Sequence, residues 1–207
     1  TPHDVGTSMS TPVKVDVWSD IACPWCFVGK RRFEAAASAF RADGGEVEVE
    51  YHAYQLSPTA PVENPGRAAE HLASHLRVPV EQAEQMQAQM TRLAAAEGLA
   101  YDFDALQQTN TLLAHQLLAL AKAHGRQLDM KERLLSAHFE QGRHVGRVDD
   151  LVDLATEVGL DPEEVRAALT EGRYLDVVEA DRDQGFEYGI NGVPFHVIDG
   201  RFAVSGA

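Results

Sequence analysis

A chain of 207 residues, 44% of them hydrophobic, is long enough for one large domain or for a domain carrying a substantial insertion. Its formal charge of −14 repels phosphate backbones and anionic headgroups, which argues against nucleic-acid and membrane-surface partners. No apolar run approaches the ~20 residues of a membrane helix, and two cysteines are too few for a secreted disulfide scaffold.

Residues 1–12 read as a disordered leader. They lack the charged and then apolar succession of a signal peptide, so a cytoplasmic location is expected, with Met9 as a candidate natural start. Val13 to Trp18 alternates apolar and polar residues and reads as a strand. Ser19-Asp20-Ile21-Ala22 links it to a helical pattern opening at Cys23, carried by Phe27, Val28, Phe33, Ala36, Ala37 and Phe40 and closed by Asp43-Gly44-Gly45. Val47 to Tyr54 alternates again. A helix separates the two strands, so they can pair in parallel.

Beyond Leu56 the character changes. Ser57-Pro58, Pro61 and Asn64-Pro65-Gly66 mark a loop. Helical periodicity then dominates, over Arg67 to Arg77, Val80 to Glu97, Thr111 to His124, Asp129 to Gln141 and Asp149 to Val158. The Leu112-Leu113-Gln116-Leu117-Leu120 stripe reads as core. Asp161-Pro162-Glu163-Glu164 starts a further helix that ends near Gly172, and another is expected from Tyr174 to Glu187. Strand character returns at Phe195 to Ile198; Asp199-Gly200 is a two-residue hairpin signal, with Arg201 to Val204 as the returning strand. Both ends of the sequence therefore feed one α/β sheet. The expected division is a discontinuous domain of residues 13–57 and 174–207, with an all-helical insertion at 58–173.

Chemistry concentrates at Cys23-Pro24-Trp25-Cys26. Two thiols cannot close a structural zinc site, which takes four ligands, and no histidine pair stands at zinc-finger distance. His71 and His75 have helical spacing but lie in a polar stretch far along the chain, so no metal is expected. Disulfide exchange, by contrast, needs one attacking thiolate and one resolving thiol. Cys23 falls where a strand gives way to a helix, so unpaired N–H groups and the macrodipole are expected to lower its pKa. Cys26, one turn on and deeper, suits the resolving role. Pro24 is acceptable at the first helical position. Trp25 is either an exposed aromatic that shapes the surface around Cys23 or a packing residue of the first turn. Asp20 reads as a helix cap or turn acid, with a proton relay for the cysteines as the other reading. Lys30 and Arg31 either draw anionic partners or form a solvated helix face. Gly192-Val193-Pro194-Phe195 lies between a helix and a strand. A cis bond before Pro194 would expose the Val193 backbone beside the cysteines, where an extended peptide can pair with it.

These residues resemble the thioredoxin superfamily in its DsbA-like branch with a helical insertion. Val17-Trp18-Ser19-Asp20-Ile21-Ala22-Cys23-Pro24-Trp25-Cys26-Phe27-Val28-Gly29 is similar to the opening motif of the FrnE-type group. Gly192-Val193-Pro194-Phe195-His196-Val197-Ile198-Asp199-Gly200, with Ala203-Val204-Ser205-Gly206-Ala207, is similar to its closing motif. The resemblance implies Cys23 as nucleophile, Cys26 as resolving thiol, Pro194 as cis-proline, dithiol oxidoreductase or isomerase activity, and an association with polyketide-antibiotic clusters. The only cofactor expected is the redox-active Cys23–Cys26 disulfide itself, with glutathione as a possible co-substrate. Expected partners are a protein or small-molecule disulfide and a thiol that recycles the enzyme. Trp25, unlike a histidine at that position, cannot charge and assist the thiolate, so a weaker oxidant than DsbA at roughly −120 mV is expected. The family closes with a helix after its last strand, so a segment beyond Ala207 is expected. Two alternatives share the outline: a glutathione-dependent kappa-type transferase or 2-hydroxychromene-2-carboxylate isomerase, which uses a serine where Cys23 stands, and a non-enzymatic binding module with a vestigial CxxC.

Overall fold

The computed structural model describes residues 11–207, so the expectations for Met9 and most of the leader lie outside the described residues. The elements run β1 (Val13–Ser19), α1 (Pro24–Ala42), β2 (Val47–Ala53), α2 (Ala68–Leu76), α3 (Val80–Ala96), α4 (Leu112–Ala123), α5 (Gln127–Phe139), α6 (Val148–Glu157), α7 (Pro162–Glu171), α8 (Leu175–Glu187), β3 (Phe195–Ile198) and β4 (Phe202–Ser205). The strands form one sheet in the order β2-β1-β3-β4. β2 runs parallel to β1, as α1 between them requires, while β3 is antiparallel to both β1 and β4. This is the DsbA-like thioredoxin fold, with helices α2–α7 inserted between β2 and α8.

Alternation along β1 decides what each face of the sheet packs against. Val15 and Val17 join Tyr51 and Phe33 on the α1 side. Trp18 turns the other way, onto Ile190 and Val197. Its indole N–H donates to the Asp181 carbonyl at 2.8 Å, and its ring stacks on His52 at 4.5 Å. α8 approaches closely because residue 185 is glycine: a Cβ there would lie 3.1 Å from the indole.

The largest core belongs to the insertion, where Leu117, Leu120, Met130, Leu134, Leu151 and Leu154 are buried together. Ile21, Phe27 and Val28, which flank the cysteines, are part of the same cluster. The insertion is therefore packed directly beneath the CxxC segment.

Most helices start and stop within a residue of the pattern-based expectation. α5 starts two residues early, at Gln127 rather than Asp129. The side chain of Gln127 is buried against the β2 edge, accepting from Tyr51 N and donating to Tyr51 O at 2.9 Å each. This tertiary anchor is invisible to periodicity. β4 starts at Phe202 because Arg201 closes the turn, its N–H donating to Ile198 O at 3.0 Å. Asp199 and Gly200 both have positive φ, as an Asp-Gly hairpin turn needs. Among the described residues no helix is long and apolar enough to cross a membrane.

Candidate active site

Cys23 is the N-cap of α1 and Pro24 takes the first helical position, where its missing N–H costs nothing. A turn from Asp20 O to Cys23 N, 3.2 Å, leads the chain out of β1 into the helix. Tyr101 from the insertion holds that first turn by donating its hydroxyl to Pro24 O at 2.6 Å. Both cysteines are free thiols and buried, Cys26 the deeper at 2% exposure against 5%. Trp25 between them is 41% exposed, which selects the surface reading over the packing one.

The far end of the chain completes the mouth of the site. The Val193–Pro194 bond is cis, and the Val193 carbonyl lies 3.5 Å from Cys23 Sγ. Gly29 lets the loop come so near: a Cβ there would meet Pro194 Cγ at 3.0 Å. Gly206 N donates to Pro194 O at 2.9 Å and ties the end of β4 to the same loop.

Asp20 is not a helix cap. Cys23 caps α1 without any side-chain hydrogen bond. The Asp20 carboxylate instead turns inward, 1% exposed, and accepts from Thr111 Oγ1 at 2.8 Å, the His115 ring at 3.0 Å and Leu56 N at 2.9 Å. Burial opposes its charge, but the His115 hydrogen bond and charge, then Leu56 and Thr111, hold its pKa below the ordinary carboxylate value. Sequence reasoning missed His115, Thr111 and Lys131 altogether. Lys131 of α5 is buried, with Cys26 and Asp20 as the charges that favour its ammonium; burial drives its pKa down to about 8. His138, on the same helix, is pushed down to about 4 by burial.

The two thiols interact so strongly that their protons belong to the pair. The neighbouring Cys26, then burial, pushes the Cys23 thiol up. The N–H groups of Cys26 and Trp25 do favour its thiolate, as the helix start predicts, but are outweighed. Burial acts against a Cys26 thiolate too. The Cys23 thiol, Lys131, the Asp20 N–H and the Ser19 hydroxyl reverse that, and Cys26 lies below the usual thiol value. The pair therefore carries one negative charge more readily than two, and a proton hop exchanges that charge between the sulfurs.

Lys30 and Arg31 neither form a solvated face nor await an anionic partner. Lys30 is buried and pairs with Glu34 and, at 2.7 Å, with Glu132; Arg31 also pairs with Glu132. They bolt α1 to α5. Away from the cysteines, Asp16, Glu50 and His52 bring potential metal-ligand atoms within 4.8 Å of one another. Each already has protein partners: His52 bonds Asp16 and Asp181 at 2.7 Å, and Glu50 pairs with Lys14 and Lys122.

A CxxC pair at the start of the first helix, facing a cis-proline loop across a four-stranded mixed sheet, defines a protein of the thioredoxin fold. The DSBA-like thioredoxin domain matches residues 14–207, and the chain belongs to that family. It is 29% identical over 202 residues to the uncharacterised Bacillus subtilis protein YwbO, spanning 94% of this chain and 90% of that one. A probable DsbA oxidoreductase from Streptomyces coelicolor is 39% identical, with a TM-score of 0.88, over 94% of this chain and 83% of its own. A 2-hydroxychromene-2-carboxylate isomerase, 16% identical with a TM-score of 0.71 over 93% of this chain and 88% of its own, shares the fold.

Proposed function

We propose that this protein is a thiol–disulfide oxidoreductase of the FrnE type, working through Cys23 and Cys26. The observation that carries the reading is the position of the Cys23 sulfur, at the first turn of α1 and 3.5 Å from the Val193 carbonyl, with Cys26 one turn deeper. A proton hop from Cys23 to Cys26 leaves a Cys23 thiolate facing the Trp25 and Cys26 N–H groups. That thiolate attacks a substrate disulfide. One substrate sulfur leaves as a thiolate and takes the proton from Cys26, and the other stays bonded to Cys23. The Cys26 thiolate so formed then attacks Cys23 Sγ, the mixed disulfide breaks, and the second substrate sulfur departs as a thiolate. Two electrons pass to the substrate and a Cys23–Cys26 disulfide remains, to be reduced by a thiol partner such as glutathione. Run backwards, the same steps oxidise a dithiol.

Val193, Pro194, Pro24 and the exposed Trp25 form the substrate-docking rim, where an extended peptide can pair with the Val193 backbone. The substrate is a protein or small-molecule disulfide. A role beside polyketide-antibiotic assembly, a cytoplasmic setting and a two-part division into residues 13–57 with 174–207 and an insertion at 58–173 belong to this reading. It involves no metal, nucleic acid or membrane.

The experiment is insulin reduction by dithiothreitol. The wild type should accelerate it and Cys23→Ser should not; a fully active Cys23→Ser protein would overturn the assignment. The potential against glutathione buffers then decides direction, with about −270 mV indicating a reductase and about −180 mV an oxidase or isomerase. The transferase or isomerase reading has the shared fold in its favour. Tight glutathione binding without dithiol exchange would select it.

A further inference from the structure

Helix α5 touches the thioredoxin-like part at three points within two turns. Gln127 makes its pair of hydrogen bonds with the Tyr51 backbone. One turn on, the Lys131 ammonium lies 5.2 Å from the centre of the Tyr51 ring. The next residue, Glu132, is clamped by Lys30 and Arg31 of α1, the helix that carries both cysteines. Lys131 is therefore fixed in the seam between the insertion, β2 and α1.

Its surroundings are unusual for a lysine. The side chain is 1% exposed, and Nζ has no hydrogen-bond partner among the described residues. A buried ammonium left without a counter-charge is strongly disfavoured. The groups facing it are Cys23, Cys26 and Lys30 of α1, Asp20 after β1 and the Tyr51 ring of β2. Lys30 repels it and is itself neutralised by Glu34 and Glu132. Asp20 already accepts from Thr111, His115 and Leu56. Of the two thiols that remain as anion-forming groups, Cys26 acts on the ammonium more strongly than Cys23. A negative charge on that sulfur for part of the working cycle gives the buried ammonium a counter-charge besides Asp20.

Building on the exchange reading above, we propose that Lys131 is a positioning residue for that chemistry: a cation supplied by the helical insertion that holds Cys26 as a thiolate and sets the balance between dithiol and disulfide. In the reduced protein the ammonium faces a thiolate. Forming the Cys23–Cys26 disulfide removes that anion and leaves the ammonium with Asp20 alone. Lys131 thus favours the reduced form and makes the disulfide the stronger oxidant. The insertion contributes to redox poise through one side chain, without contacting substrate.

Coupling between two groups is reciprocal, so the wild type can report it without any substitution. Carbon-labelled lysine, followed by NMR against pH, should show Lys131 titrating about one pH unit higher in the reduced than in the oxidised protein. In Lys131→Met, thiolate absorbance should appear about one pH unit later, and the glutathione equilibrium should move about tenfold towards the disulfide, some 30 mV more reducing. Lys131→Arg, which keeps the charge, should restore most of the thiolate titration. A Lys131 ammonium that titrates alike in both redox states overturns the inference, whether or not Lys131→Met folds. The two readings fail separately. A wild type that does not accelerate insulin reduction overturns the exchange function, whereas an active enzyme with an unmoved Lys131 overturns the lysine's role alone.

Discussion

The two sulfurs of one four-residue motif sit in two differently built places. Cys23 opens on a mouth made from α1, the exposed Trp25 and the cis-proline loop. Cys26 rests on a floor of buried polar groups, with Ser19 and Asp20 from the end of β1 and Lys131 from the insertion. The mouth combines the backbone of the cis-proline loop with one exposed aromatic ring, a surface with which an extended peptide could pair. The floor is made of charges in a low-dielectric interior, where each group needs its partner. On the proposed reading the mouth docks substrate and the floor sets the charge of the pair. Substitutions in the floor should cost stability and shift pH profiles, and substitutions at the rim should cost rate.

The largest stability effect is expected at Asp20. Asp20→Ala leaves Thr111, His115 and the Leu56 N–H without their shared acceptor, and removing one partner from a buried ionic cluster costs about 3–5 kcal/mol. The loss should appear in urea unfolding at neutral pH. Because the folded pKa of Asp20 lies below its ordinary 3.8, its contribution is fully present above that value and fades as pH falls through the folded one. The gap between wild type and variant should therefore shrink only in strong acid. An unchanged midpoint at neutral pH would show that the floor carries no such cluster.

The same contrast explains what could be read from sequence. The mouth rests on local devices: a strand that stops, a proline at the first helical turn, a Val-Pro step before a strand. Each leaves a mark within a few residues, so the mixed sheet, Cys23, Cys26 and Pro194 were all legible. The floor is assembled across separations of about a hundred positions, Asp20 with Thr111 and His115. Nothing near Asp20 distinguishes an inward carboxylate from a cap, and the cap is the commoner use of an acid there. Lys131 did leave a signal. It shares a helix face with Gln127, Leu134 and Leu135, all buried, so a lysine stands on an apolar stripe. His115 left less, because α4 is buried around most of its circumference and periodicity loses its contrast. Lys30 and Arg31 misled for the opposite reason, since their partner Glu132 lies on a helix whose docking the sequence does not state.

A smaller effect is expected where mouth and helix meet. In Gly29→Ala the new methyl would sit 3.0 Å from Pro194 Cγ and 3.2 Å from Ala207 Cβ. Overpacking of this kind costs about 1–3 kcal/mol, and here it also pushes the loop off Cys23. Insulin reduction should slow by more than the thermal midpoint suggests; a full rate with a lowered midpoint would detach the loop from the chemistry. Smaller again is a pH effect on the far face of the sheet. Burial opposes a charged His52, but Asp181 and Asp16 outweigh it and raise its pKa above 6.5. Its stabilisation, about 1 kcal/mol for charge-assisted hydrogen bonds, is present in full below pH 6.5 and lost as pH climbs through the folded value. His52→Gln should flatten that limb of the thermal-midpoint profile without moving the thiolate titration.

Trp25 should give the smallest change in stability. At 41% exposure its ring contributes little to the core, and Trp25→Ala should fall within about 0.5 kcal/mol of wild type, as surface substitutions do. Its expected cost lies in docking, because a large aromatic beside Cys23 offers apolar area that a substrate can cover. For a peptide disulfide KM should rise while kcat holds, the signature of lost uniform binding. For a small disulfide too short to reach the ring, both should stay unchanged. A substitution that instead shifted the thiolate titration would place Trp25 with the floor and erase the division between the two sulfurs.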